Sequence, residues 1–252
     1  MAGLAKTDKF MLSTASVMIG AQEDLHDLNP TDHGLGLVKN FTFTSEPTYT
    51  DLMQGVKGSV VFSTMTANPV RASMEVYEYT ARNIAYANGL DGSAINPMSV
   101  NSTLSAAVVA LDVVLNVTSA TGFLAGDVIL IDKNGDDDFV IRRIVSIATN
   151  VITVDQPLPA IPTGRKVSKV NAIDIGSKDD QPFLSAKVAG KLANGTPTVI
   201  LIPKMRITRG FTAAFSSDNY GNLPFEMTLY DLVATDPNFA LFGGAQAQYI
   251  TI

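Results

Sequence analysis

The sequence predicts a mainly β protein with one short helix and an inserted small β domain. Long segments alternate apolar and polar residues with a period of two, which is typical of half-buried strands. The segment Ser45–Thr80 predicts one long two-faced hairpin that leads directly into the helix. Residues 101–171 instead contain short strand patterns separated by turn signals, a spacing typical of a small barrel or sandwich.

Composition limits the classes of function. Of 252 residues, 46% are hydrophobic and only 17% are charged, which fits a surface largely covered by neighbouring subunits. The net charge of −6 and the lack of a basic stripe argue against nucleic-acid binding. The absence of cysteine excludes disulfides, thiolate metal sites and cysteine nucleophiles. The longest apolar run, Ala106–Leu111, is too short to span a bilayer, and Lys6, Asp8 and Lys9 interrupt any signal peptide. We therefore expect a soluble protein made in a cytoplasm.

The N-terminal third begins with two predicted strands. Lys9–Ile19 is rich in Thr, Val and Met, and the polar loop Gln22–His33 follows it. Gly36–Ser45 alternates apolar and polar residues as a strand does.

The predicted hairpin of Ser45–Thr80 turns at Thr66–Pro69. Its expected cross-strand pairs are Met65 with Val70, Ser63 with Ala72 and Val61 with Met74 on one face, and Thr64 with Arg71, Phe62 with Ser73 and Val60 with Glu75 on the other. A hairpin is only marginally stable alone in water, and its edges are templates for further strands. This predicts partners on other chains, and therefore an assembly.

The clearest helix is Ala81–Asn88. Thr80 precedes it as a plausible N-cap, and Gly89 lies where a C′ glycine is favoured. A helix this short is expected to pack on a sheet.

The inserted domain, residues 101–171, divides the predicted core domain into 1–100 and 172–252. The strands expected in the insertion are Val108–Val117, Asp127–Ile131, Phe139–Ile147 and Val151–Val154.

After the insertion, longer strand patterns return. Phe183–Lys191 and Pro197–Ile202 flank Asn194-Gly195, a strong hairpin signal. Met205–Ser216 and Phe225–Ala234 form a second expected pair. The residues after Asp236-Pro237 are expected to form a tail.

No motif predicts catalysis, a cofactor or a metal site. His26 and His33 are seven residues apart, which suits neither a helical metal pair nor a zinc finger. Asp132–Asp138 differs from an EF-hand loop, since Asp137 replaces the glycine and Arg143 the final glutamate. We interpret that segment as a solvated hairpin tip.

Several motifs, in the same order, are similar to those of the tail tube proteins of tailed bacteriophages. They cover about residues 10–95 and 180–240. They are Thr14–Gly20, His33–Phe41, Glu75–Ala81, Leu90–Ser93, Ala186–Lys191, Asn194-Gly195, Ile202–Ile207, Gly210-Phe211, Phe215–Asp218, Asn222–Glu226 and Tyr230–Leu232.

The resemblance implies a β-sandwich or half-barrel flanked by a helix. Six copies would form a ring, and stacked rings would form the virion tail tube through which DNA is ejected. The long hairpin would join those of its neighbours to close a barrel around the lumen, with the insertion on the outer surface. Implied partners are further copies of the chain, a sheath or other tail proteins, a tape measure protein inside the lumen during assembly, and DNA in transit. Assembly would occur in the host cytoplasm, without membrane insertion.

In such a tube we expect one face of the hairpin to line the bore. The residues expected there are Thr64, Arg71, Ser73 and Glu75, whereas Val61, Met65, Val70 and Met74 would pack against the subunit's own sheet. A bore that is neutral to acidic would adhere little to DNA.

Three alternatives remain open at this point. The polar face of the hairpin could simply be the exterior of a sheet. The chain could form the tube of a related contractile injection machine. It could also be a glycan- or surface-binding β module, although Phe123 and Phe139, the aromatics of the insertion, are expected in its core.

Overall fold

The computed structural model describes residues 15–55, 58–92, 95, 100–135, 138–173, 175–176, 181–212 and 220–251. It is mainly β with few helices, which confirms the predicted fold class. The strands are β1 Ser16–Ala21, β2 Val38–Ser45, β3 Thr48–Gln54, β4 Ser59–Ala67, β5 Val70–Val76, β6 Asn101–Thr103, β7 Val114–Asn116, β8 Val128–Gly135, β9 Asp138–Ala148, β10 Val151–Val154, β11 Lys166–Val170, β12 Leu184–Lys191, β13 Pro197–Arg209, β14 Leu223–Leu229 and β15 Gln248–Thr251. The helices are α1 Pro30–His33, α2 Ala81–Ala87 and α3 Phe239–Phe242, and Gln22–Asp24 forms a 3₁₀ turn.

The chain divides into two compact units, residues 1–95 with 175–252 and residues 96–174. We call them the larger and the smaller unit. The larger unit contains a half-barrel sheet of strand order β1-β12-β13-β14-β5-β2, with β15 beside β13. Among the described strands, β3 and β4 pair only with each other.

The core of the larger unit lies on one face of this sheet. Along β5 and β14, alternate side chains are buried, as the period of two predicts. Phe225, only 1% exposed, lies opposite Met74 across the two strands. The other buried residues of β5 and β14 are Val70, Ala72, Val76, Leu223, Met227 and Leu229.

Helix α2 covers this core and confirms the predicted helix. The Thr80 side chain accepts a 3.1 Å hydrogen bond from the Asn83 amide, and Gly89 has a φ of +74°. Tyr86 is fully buried, and its hydroxyl donates a 3.1 Å hydrogen bond to the Ile19 carbonyl. Burial raises the pKa of Tyr86 well above its ordinary value.

The expected pairing of the hairpin at Thr66–Pro69 is wrong. Strand β5 lies between β2 and β14, so neither of its edges is free for β4. The chain leaves the sheet after Ser45, which pairs with Val70, and returns at Val70. Strand β4 pairs instead with β3, which the sequence reading missed.

Gly55 and Gly58 flank the connection between β3 and β4. Both glycines have positive φ, +83° and +60°, and the Gly58 amide donates a 3.1 Å hydrogen bond to the Gly55 carbonyl. Two glycines in left-handed backbone are the turn signal that identifies this hairpin.

The C-terminal strands are confirmed in position, but several bounds differ. Strand β13 ends at Arg209 and β14 at Leu229, before the ends expected for Met205–Ser216 and Phe225–Ala234, and the expected tail contains β15. Pro197–Ile202 and Met205–Ser216 were expected as two strands, but β13 continues through Pro203. Ile202 pairs with Ala186, and Met205 pairs with Leu184. Between these two pairs, β13 has one more residue than β12. This is a β-bulge, one of the few places where a sheet accepts proline. The Asn194-Gly195 turn is present, and Gly195 has a φ of +83°.

The smaller unit is a six-stranded sheet of order β6-β11-β8-β9-β10-β7 around its own apolar core. The amides of Ser105 and Thr118 donate to the carbonyls of Asn116 and Thr103, so the outermost strands join and the sheet closes on itself. Strand β10 matches its predicted bounds. The predicted strand Val108–Val117 is largely wrong, because the Asp112 carboxylate binds two backbone amides and forms a turn. The insertion of an independent domain at 101–171 stays a prediction.

Some expectations fall outside the described residues. They concern the first strand before Thr14, the hairpin tip at 136–137 and the end of the strand expected to reach Ser216.

Candidate interaction surfaces

No described residue covers the side chains of the β3–β4 hairpin, whose strands are Thr48–Gln54 and Ser59–Ala67. We call it the projecting hairpin. Every residue in both strands is exposed. Seven of its large apolar side chains are 52–62% exposed: Tyr49, Leu52, Met53, Val60, Val61, Phe62 and Met65. Exposed apolar surface concentrated in this way usually marks an interaction site.

Apolar side chains lie on both faces of the projecting hairpin. Tyr49 is paired with Met65, and Leu52 with Phe62. Directly paired residues share a face and successive residues alternate, so these two pairs point in opposite directions. Packing the hairpin onto a single sheet would therefore leave one apolar pair in water.

Four residues were expected to pack against the subunit's own sheet, and this prediction is correct for two of them and wrong for the other two. Val70 and Met74, in β5, are buried in the core of the larger unit. Val61 and Met65, in β4, are each 55% exposed. They do not pack against the sheet because β4 leaves it with β3.

The outer side of the half-barrel is open and polar where β2, β5 and β14 lie. We call this area the polar face, and it consists of Lys39, Thr42, Thr44, Arg71, Ser73, Glu75, Glu226 and Thr228. Its centre is a shallow depression of about 260 Å³ lined by hydroxyl groups and the Arg71 side chain. Three of the four residues expected in the bore are here, whereas Thr64 lies on the projecting hairpin.

Charges on the polar face are mostly balanced. Lys39 lies directly opposite Glu75, and Arg209 forms a 2.9 Å salt bridge with Glu226. Arg71 lies between Thr44 and Thr228, and within the described ranges it forms no ion pair.

Glu75 is held in its charged form. The Tyr77 hydroxyl donates a 2.9 Å hydrogen bond to Glu75 Oε2, and this bond is the main reason that the pKa of Glu75 lies below its ordinary value. Asn40, Asn222 and Lys39 add to the effect. Glu75 therefore keeps its negative charge on the polar face.

The polar face ends at an open sheet edge. Strand β2 pairs with β5 on one side, and no strand of the described chain pairs with its other side. At the opposite end of the sheet, the described residues pair with the outer side of β1 through an isolated bridge between Met18 and Gly34. Unpaired edge groups of this kind bind further strands readily.

A buried ion pair fixes the segment that follows β14. Lys204 Nζ lies 2.8 Å from Asp236 Oδ2 and 4.5 Å from the Phe183 ring centroid. The hydrogen bond from Lys204 lowers the pKa of Asp236, and the Val233 amide adds to this effect. The Arg206 guanidinium stacks 4.0 Å above the same ring.

The histidines and acidic residues do not converge on a site. His26 stacks on Phe242, and His33 Nδ1 accepts a 3.4 Å hydrogen bond from the Asn29 amide. Asp132 accepts a bond from the Gly135 amide, as in a hairpin turn. Across the described ranges, no three His, Cys, Asp or Glu side chains are grouped to hold a metal ion.

No described helix has the length and apolar character needed to cross a membrane. Comparison with known proteins finds no matching family model and no matching curated protein.

Proposed function

We propose that this chain is a structural subunit that assembles into hexameric rings, and that the rings stack into a bacteriophage tail tube. The observation that carries the proposal is the projecting hairpin, which has apolar side chains on both faces that no described residue of its own chain covers. Its exposure is explained if copies of the chain cover it.

Burial of the apolar side chains of the projecting hairpin would favour self-association. Apolar burial contributes about 25 cal/mol per Å² removed from water, so covering seven large side chains is strongly favourable. A hairpin with both faces covered contacts more than one neighbour, or contacts one neighbour that surrounds it. Repeated head-to-tail contacts of this type generate closed rings or stacks.

The open edge of β2 offers a second contact. A strand from a neighbouring subunit can continue the half-barrel there through main-chain hydrogen bonds. Repetition around a ring would complete a closed barrel, which removes the exposed edges altogether.

In this assembly the polar face lines the bore. Arg71, Ser73 and Glu75 would face DNA, and Thr64 would lie nearby on the projecting hairpin. Their hydroxyl groups and nearly balanced charges would provide few lasting phosphate contacts, unlike a cationic channel. The function is then passive: the tube guides DNA, and a tape measure protein before it, without holding either. The outer surface would meet a sheath or other tail proteins in the virion.

The tube of a related contractile injection machine would use the same surfaces, so it remains the closest alternative. A glycan-binding role for the smaller unit has less support. Phe123 is buried, as expected, whereas Phe139 is 50% exposed, contrary to expectation. A single exposed phenylalanine does not form an aromatic platform.

Replacing one apolar residue of the projecting hairpin tests the proposal. Leu52→Asp places a charge on a surface that assembly buries, so we expect tubes and rings to be lost while the subunit keeps its melting temperature. The matched control is Leu124→Asp, since Leu52 and Leu124 are 62% and 65% exposed. Negative-stain microscopy of the purified proteins is the measurement.

Three outcomes would contradict the proposal. They are a wild-type protein that stays monomeric at high concentration, a Leu52→Asp variant that still forms tubes, and equal losses in both variants.

A further inference from the structure

We propose that the C-terminal strand β15 is exchanged between copies of this chain, so that in the assembly it pairs with β13 of a second copy. This inference rests on the self-association described above and names a contact within it. It depends on how β15 is attached.

Backbone pairing provides most of the attachment of β15. Its partners are, in order, Thr198 with Thr251, Val199 with Ile250, Ile200 with Tyr249 and Leu201 with Gln248. All four residues of β15 are exposed, including the large side chains of Tyr249 and Ile250. Main-chain ladders do not depend on which copy supplies the strand.

The segment just before β15 is anchored to its own unit. Asp236 binds Lys204, and the Asn238 side chain, only 5% exposed, donates a 2.7 Å hydrogen bond to the Gln22 carbonyl. Phe242 stacks on His26. The part of the chain that could move therefore begins after Phe242.

A pair of glycines lies at this point. Gly243 has a φ of +59°, and a Cβ added to Gly243 or Gly244 would meet no atom within 4 Å. Glycine also allows backbone conformations that other residues rarely adopt, so this segment suits a hinge. Short hinge segments joined to an edge strand are the usual setting for exchange of an element between identical subunits.

The contacts made by residues that follow the hinge at Gly243-Gly244 would form equally well with a second copy. Gln246 Nε2 donates to Asp231 Oδ1 at 2.8 Å and to the Asn68 carbonyl at 3.3 Å. Because a second copy presents the same two acceptors, exchange replaces each bond with an identical one. The balance then depends mainly on subunit concentration, which is very high inside an assembly.

The N-terminal half of β13 pairs with β15 on the side where β14 pairs with the later half. Strand β14 pairs with the later half of β13, from Met205 onward, and does not reach Thr198–Leu201. Thr198 and Leu201 are 4% and 7% exposed while β15 is in place. This edge is therefore covered by β15, from its own copy or from another.

Cysteine cross-linking distinguishes the two arrangements, because the natural chain contains no cysteine. We would prepare Val199→Cys and Ile250→Cys as separate full-length variants, mix them before assembly and oxidise the assembled material. Exchange predicts a disulfide-linked dimer of the two variants on a non-reducing gel. If β15 stays on its own β13, each cysteine lies opposite an unmodified residue of its own subunit. The two variants then give only a background level of disulfide-linked dimer.

The matched control is a mixture of Ser146→Cys and Thr153→Cys. These residues also lie opposite each other, on β9 and β10, but a tight turn joins the two strands. We expect several-fold more covalent dimer from the first mixture than from this control. The double variant Val199→Cys/Ile250→Cys should close an internal disulfide in the unassembled subunit. If either substitution prevents folding, Ile200→Cys with Tyr249→Cys replaces it.

The amount of covalent dimer tests strand exchange, and the shape of the assembly tests the proposed function. Covalent dimer at the control level in well-formed tubes overturns exchange and leaves the proposed function intact. Abundant covalent dimer in rings or irregular oligomers without tubes supports exchange and contradicts the tube.

Discussion

Strands β4 and β5 are neighbours in the chain and have similar compositions, but their surroundings differ completely. Only Asn68 and Pro69 separate them. Strand β5 lies between two partners and buries alternate residues, whereas every residue of β4 is exposed. The apolar residues of a strand therefore do not reveal whether they are buried within the subunit or exposed on its surface. In β5 they stabilise the subunit, and in β4 they are available to other subunits.

The sharpest test of this comparison uses one residue type in both places. Phe225, opposite β5, is 1% exposed, and Phe62, in β4, is 62% exposed. We expect Phe225→Ala to lower the free energy of unfolding by about 3–5 kcal/mol because it leaves a cavity. Phe62→Ala should change it by less than about 0.5 kcal/mol. Urea denaturation of dilute, unassembled subunits measures both, and equal losses would mean that the hairpin packs on its own subunit.

A second test compares ion pairs along β13. Lys204→Met leaves the Asp236 charge without its partner where the two side chains are only 10% and 13% exposed, so we expect a loss of about 3 kcal/mol. Arg209→Met removes a salt bridge whose side chains are 67% and 50% exposed and should cost less than about 1 kcal/mol. Thermal unfolding of both variants gives the comparison. Similar melting temperatures would show that the Lys204 pair does not stabilise the C-terminal segment.

The smallest effect is expected on the polar face. Arg71→Gln removes a charge that forms no ion pair within the described ranges, so subunit stability should change by less than about 0.5 kcal/mol. If this face lines a bore, tubes should also form at the wild-type rate, as followed by light scattering. Loss of assembly would instead make Arg71 a contact between subunits.

Local features were predictable from the sequence because their causes are local. The cap at Thr80, the positive φ of Gly89 and the Asn194-Gly195 turn all depend on residues within a few positions of each other. The polar character of Arg71, Ser73 and Glu75 also followed from alternation along one strand. The pairing partner of β4 could not be predicted from the sequence, because a plausible turn at Thr66–Pro69 competed with the turn between Gly55 and Gly58.

The sequence by itself determined the β class, most strand positions, the single prominent helix and the lack of any catalytic motif. Tertiary structure alone decided that β5 is enclosed by β2 and β14, that β13 continues through Pro203, and that β15 returns to pair with β13. The reason is physical: alternation and turn residues act within a few positions, whereas pairing is chosen by burial between residues far apart in the chain. The projecting hairpin is separate from the sheet because β2 and β14 occupy both edges of β5, the strand that follows it in the chain.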